Sequence, residues 1–156
     1  MGTWGPRGIL LLLFIVITAP GVAQADIGEW SLGSGLEYRG SGAGLLGLSV
    51  QTGLSDWISL EASVGVGASA SGSPRGSGLV QGVMALDILQ WVPELCLGVG
   101  GTWSSGRSVP ELRVGGRLRR YWGLNWSGWA GGGVRYELSS ERVGGFGGLG
   151  FTYHFD

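Results

Sequence analysis

From residue 28 onward the chain alternates apolar residues with small or polar ones at a period of two. The clearest run places Ile58, Leu60, Ala62, Val64, Val66 and Ala68 in one phase and Ser59, Glu61, Ser63, Gly65, Gly67 and Ser69 in the other. This is the pattern of a strand with two unlike faces. Seven further runs share it: Gly28–Arg39, Leu45–Thr52, Leu79–Leu89, Leu95–Trp103, Glu111–Arg119, one ending at Leu138 whose start is blurred by aromatics between Tyr121 and Trp129, and Arg142–Phe155. Gly, Ser, Pro and Asp punctuate them, and no segment after Ala25 carries a helical period. The pattern predicts an all-β fold, an eight-stranded antiparallel up-and-down barrel.

Alternation alone does not say which phase faces out, since a soluble ligand-binding barrel has the same period with its faces exchanged. Composition and placement favour an apolar exterior. Charged residues are only 13% of the chain, against about a quarter in ordinary soluble domains. The polar phase is mostly Gly and Ser with scattered Arg, Glu and Asp, which suits a narrow lumen. The apolar phase is nearly free of charge, as a surface in lipid must be. Aromatics gather at strand ends, with Trp30, Trp91, Trp122, Trp126, Tyr153 and Phe155 at one rim and Tyr38, Trp103 and Tyr136 at the other. That double girdle marks a transmembrane barrel. Connections at Gly40–Gly44, Ala70–Gly78, Ser104–Pro110 and Ser139–Glu141 would face outward from the cell. They are short, which weighs against an adhesin.

Residues 1–25 read as a cleavable signal peptide: Arg7, then the apolar run Ile9 to Ile17, then small residues at Ala23 and Ala25. The run is too short for a permanent transmembrane helix, which needs about 20 residues. Residues 26–156 are then one barrel domain. Cys96 is the only cysteine, so an internal disulfide is excluded. Its position suits a small buried thiol.

The ending Gly150-Phe151-Thr152-Tyr153-His154-Phe155 resembles the C-terminal recognition strand by which bacterial barrels are handed to the outer-membrane insertion machinery, with Gly150, Phe151, Tyr153 and Phe155 as the signal and Asp156 as one extra residue. Residues 26–156 as a whole resemble the small eight-stranded outer-membrane barrels of the OmpX, OmpA-transmembrane and OmpW type. The stretch from Ala85 to Gly100, a strand, a Pro93-containing turn and a Gly-alternating strand, is similar to the OmpW-like group. The resemblance implies an integral, porin-like protein of the Gram-negative cell envelope, monomeric, whose partners are outer-membrane lipid and the insertion machinery during assembly.

Catalysis needs clustered groups that the sequence does not supply. Its one histidine, His154, falls on the inward phase two residues from the C-terminus, and one His with one Cys makes no metal site. No enzyme, cofactor or metal is expected. The formal net charge of −1 gives no footing for nucleic acid. Gly42 to Gly47 matches a dinucleotide fingerprint in letters but opens a strand, where that motif should open a helix. Asn125-Trp126-Ser127 matches a glycosylation acceptor by chance in a bacterial strand. What remains is a set of inward charges: Glu29, Glu37, Arg39, Glu61, Asp87, Glu94, Arg113, Arg117, Arg119, Arg135, Glu137 and Arg142. Charges in a confined interior must pair. They predict an ion-paired plug in a structural barrel, or one accessory to envelope permeability. The alternatives are a narrow channel for small solutes or apolar molecules, and a soluble periplasmic ligand-binding barrel.

Overall fold

The computed structural model describes residues 28–86 and 91–155, and these form eight strands: β1 (Trp30–Arg39), β2 (Ala43–Ser55), β3 (Ile58–Ala68), β4 (Pro74–Ala85), β5 (Trp91–Ser104), β6 (Arg107–Trp122), β7 (Trp126–Glu137) and β8 (Arg142–Phe155). Each pairs antiparallel with its neighbours in sequence, and β8 returns to β1 from Trp30↔Phe155 to Arg39↔Phe146. Closure removes the free edges that an open sheet would present. The leader (1–25), Asp87 and Asp156 lie outside the described residues. The end holding the start of β1 and the finish of β8 is called the near end below, and the opposite one the far end.

The two phases become two surfaces of inverted polarity. Leu36, Leu46, Val64, Val66, Leu97 and Leu149 point outward and are exposed. The largest fully buried side chains are Arg39, Arg119, Glu111 and Ser127. A water-soluble domain buries its aliphatic residues and leaves charges outside. Among the described residues nothing covers the hydrophobic faces of the eight strands.

Several strands run longer than their hydrophobic alternation. β4 begins at Pro74 and β6 at Arg107, inside stretches that read as loops, so the connection predicted over Ser104–Pro110 shrinks to a tight hairpin at Ser105-Gly106. Ser105 (φ 49°) and Gly106 (φ 79°) take the left-handed backbone that a two-residue turn of the I′ type requires. Glycine and serine carry no hydropathy signal, and the prolines sit in the first turns of their strands, where one lost ladder bond costs least. β5 likewise starts at Trp91 and runs through Pro93, which opposes Leu118, so the predicted turn there is strand.

Aromatic rings cover glycines on both surfaces. On the outside Trp103 lies over Gly76 and Trp122 over Gly128. Inside, Trp129 of β7 lies against Gly35, Gly148 and Gly150 of β1 and β8, and a Cβ added at Gly150 would come within 2.9 Å of its ring. The missing side chains make room for the ring, and the ring shields backbone that glycine leaves bare. At the near rim Trp126 meets Tyr153 edge-on with centroids 5.0 Å apart, and Tyr153 meets Phe155 likewise at 5.0 Å. The last strand is thus anchored through its aromatic phase.

Candidate lumen site

The inward charges gather in two layers. At the far end three strands each carry an acid and an arginine two residues apart, so both point into the lumen: Glu37 and Arg39 on β1, Glu111 and Arg113 on β6, Arg135 and Glu137 on β7. Across the β6–β7 ladder like charges stand opposite, Glu111↔Glu137 and Arg113↔Arg135, which would be repulsive. Diagonal pairing resolves this. Glu111 receives Arg113 Nε at 2.6 Å, Arg135 Nη1 at 3.3 Å and Arg39 Nη1 at 3.5 Å. Glu37 bridges Arg39 Nε and Arg113 Nη1, both at 2.7 Å. Arg135 also pairs with Glu137.

At the near end the layer spans the barrel's cross-section. Arg117 bridges Glu61 of β3, at 2.6 Å, and Glu94 of β5. Arg119 uses all three nitrogens: Nε donates to Glu94 (2.8 Å), Nη1 to Ser127 (2.8 Å) and Thr152 (3.2 Å), and Nη2 to Gln51 (3.0 Å). Gln51 in turn donates to Ser59 at 2.6 Å, and Gln81 to Glu61 at 3.1 Å. Ser127 Oγ lies 2.8 Å from His154 Nε2, and the imidazole packs on Tyr121 with centroids 5.3 Å apart. Because Ser127 Oγ accepts from Arg119, its own proton is available to the imidazole nitrogen. This Ser–His contact is a fully buried link in a chain that starts at Glu94.

Of the twelve residues predicted to share the lumen, nine enter these ion pairs: Glu37, Arg39, Glu61, Glu94, Arg113, Arg117, Arg119, Arg135 and Glu137. Arg142 does not belong with them. It is exposed at the far rim, opposite Glu137 in the β7–β8 register, because β8 begins there and gives it no depth. Glu29 is half-buried just before β1, and Asp87 falls outside the described residues. Sequence reasoning missed Glu111, the most connected acid, although it shares the parity of Arg113. It also missed Arg120, which lies on the outward phase at the near rim yet is buried, its guanidinium 4.9 Å from the centre of the Trp91 ring. The lumen is less uniformly polar than the sequence predicts, since Leu45, Leu79, Trp129 and Phe146 also line its interior.

Between the layers is a cavity of about 110 Å³. Its walls mix glycine and apolar side chains with a few polar groups, with Ser49, Ser63, Ser77 and Gln81 on the β2–β4 side and the rings of Trp129 and Phe146 on the β7–β8 side. The guanidinium of Arg113 stands 5.3 Å from the Phe146 ring centre, and that of Arg117 stands 5.5 Å from Trp129. Each cation is thereby held by carboxylates on one side and a ring face on another. Among the described residues no group of His, Cys, Asp and Glu is arranged to hold a metal ion.

No family model matches this sequence, and no curated protein matches it. Among solved structures the chain is similar to the crystal structure of the N-terminal β-barrel domain of Pseudomonas aeruginosa OprF, with a TM-score of 0.73 at 16% identity, covering 83% of this chain and 98% of that one. At that identity the likeness shows the fold alone, a closed eight-stranded barrel.

Proposed function

We propose that the chain is a non-enzymatic, integral outer-membrane barrel that is exported behind a cleaved leader and has its lumen plugged by arginine–carboxylate layers. Its role is structural, or accessory to the permeability of the envelope. The observation that carries this reading is the inversion of polarity, with aliphatic side chains exposed around the barrel and arginines and glutamates buried within. In lipid the exposed face is solvated and the closed ladder satisfies the backbone. In water the same face would be an uncovered apolar surface far larger than a soluble monomer tolerates. The fold likeness supports the location.

Facing is tested with single cysteines in a Cys96→Ala background. Positions Val64, Leu97 and Val134 should react with a lipid-phase probe and resist a water-soluble one. Positions Ser63, Gly98 and Glu137 should escape the lipid-phase probe. If the first set is instead buried in a water-soluble protein and the second labels freely from solvent, the soluble binding barrel replaces this reading. N-terminal sequencing of the membrane-bound form should begin at Asp26. The insertion machinery is proposed to read Gly150, Phe151, Tyr153 and Phe155, so deleting Phe155 and Asp156 together should impair insertion far more than deleting Asp156 alone, as heat-modifiable gel mobility reports.

A second reading, a narrow conduit, is favoured by the cavity between the layers. Planar-bilayer recordings separate the two. A plug gives no stable conductance in the wild-type barrel, and Arg119→Ala should create it by opening the near-end layer.

A further inference from the structure

We infer that the cavity between the two ion-pair layers is a binding chamber for a small neutral polyol of two or three carbons. The inference rests on the lumen geometry and stands whether or not the barrel lies in a membrane.

Charge bookkeeping sets the first requirement. The far-end layer pairs three glutamates, Glu37, Glu111 and Glu137, with three arginines, Arg39, Arg113 and Arg135. The near-end layer pairs two, Glu61 and Glu94, with two, Arg117 and Arg119. The paired charges of each layer balance, and Arg75, half-buried on the inward phase of β4 at the far end, stands outside the pairs. An ion placed between them would be an uncompensated buried charge, which is costly in a low-dielectric interior. The chamber therefore selects for neutral guests.

Hydrogen-bonding capacity sets the second. Arg117 is 7% exposed and lines the chamber, and its Nη2 has no acceptor among the described residues. A buried donor of this kind seeks an oxygen. Ser49, Ser63 and Gln81 present hydroxyl and amide groups on the opposite wall and are only half-buried, so they too face open space. A guest must both accept and donate, as a hydroxyl does.

Shape and apolar surface set the third. Trp129 presents its indole to the same space, against which the C–H edge of a short carbon chain packs while its hydroxyls face the serines. A dry cavity of about 150 Å³ admits benzene, so about 110 Å³ limits the guest to a few heavy atoms and excludes a hexose. Glu37, which lines the chamber and belongs to the far-end layer, keeps 24% of its side chain exposed. Guests accordingly arrive from the far end, while the near-end layer closes the other side.

The test uses the full-length barrel in detergent with Ser63→Cys in a Cys96→Ala background, its closed fold checked by heat-modifiable gel mobility. Three methanethiosulfonates of similar size are compared by mass spectrometry: the neutral methyl, the anionic sulfonatoethyl and the cationic aminoethyl reagent. The neutral reagent should modify the introduced thiol, with both charged ones about tenfold slower or more, because each must carry a charge into a neutral interior. Glycerol and ethylene glycol should slow the neutral reagent saturably, and sucrose at the same osmolality should not. Equal rates for the three reagents would show a wet, open lumen and overturn the inference. Equal slowing by glycerol and sucrose would show a chamber that holds water alone. A Ser63→Cys thiol that no reagent reaches would overturn it as well, since a chamber closed to molecules of that size admits no guest.

Discussion

Glu111 shows how much of the lumen is decided by single side chains. It is 1% exposed and takes charge from Arg39, Arg113 and Arg135, which sit on three different strands. Replacing it by a neutral group would leave three buried guanidiniums sharing two remaining carboxylates. Glu111→Gln should cost about 3 to 5 kcal/mol, the usual penalty for removing one partner of a buried pair, read as a fall in the urea midpoint for loss of the heat-modifiable form. Ser127 tests the other layer. Its hydroxyl both accepts from Arg119 and meets His154, so Ser127→Ala should strand His154 Nε2, leave Arg119 Nη1 with Thr152 alone, and cost about 1 to 3 kcal/mol. Ser127→Thr, which keeps the hydroxyl, should recover most of that by the same measurement. Parity along the strands made nearly every inward charge legible. Partnership was not legible, because Arg117 finds Glu61 across 56 positions of sequence and Arg113 finds Glu37 across 76. Glu111 shares the inward parity but follows Pro110 at the edge of what reads as a loop, and such an edge position carries no settled face.

At the scale of strands, the apolar phase marks the middle of each element and leaves its ends unmarked. Ile58–Ala68 was legible nearly residue for residue because every outward position in it is aliphatic or alanine. β4 was not, since its first turns read Pro74-Arg75-Gly76-Ser77-Gly78 and only the register against Ala68 through Val64 makes them strand. Glycines that look like loop punctuation are instead packing surfaces. Gly150 is the clearest case, where an added Cβ would meet the Trp129 ring at 2.9 Å and Ser34 O at 2.5 Å. A backbone oxygen yields little, so Gly150→Ala should cost about 1 to 3 kcal/mol through overpacking. The comparison is Gly116→Ala on β6, where the nearest atom to an added Cβ is Glu94 O at 3.5 Å, ordinary contact distance. The urea midpoint should fall for the first substitution and hold for the second. Equal midpoints would mean that the Trp129 ring shifts freely and that its seat against β8 is not a fixed feature of the lumen.

For the molecule as a whole, the barrel's one large asymmetry is between its surfaces, and this asymmetry was written in the sequence as phase. Composition pointed the same way, because a chain with so few charges cannot both fill a polar lumen and coat an exterior in water. Facing therefore has a quantitative consequence. Val64 is 62% exposed at the seventh of eleven positions in β3, near the middle of the outward surface, while its neighbour Ser63 faces the chamber. In a bilayer, Val64→Arg places a guanidinium near the hydrocarbon midplane and should cost about 2 to 4 kcal/mol, falling toward about 0 to 1 kcal/mol for the same change near a rim. Ile58→Arg, at the end of the same strand, supplies that rim comparison. Refolding into vesicles followed by urea titration should show a clear drop for Val64→Arg, a small one for Ile58→Arg and almost none for Ser63→Ala. In a water-exposed barrel the depth dependence would vanish, because an arginine on a wet strand is solvated wherever it stands. A Val64→Arg protein as stable as the Ile58→Arg one would mean that this surface does not meet lipid, and the membrane assignment would fall with it.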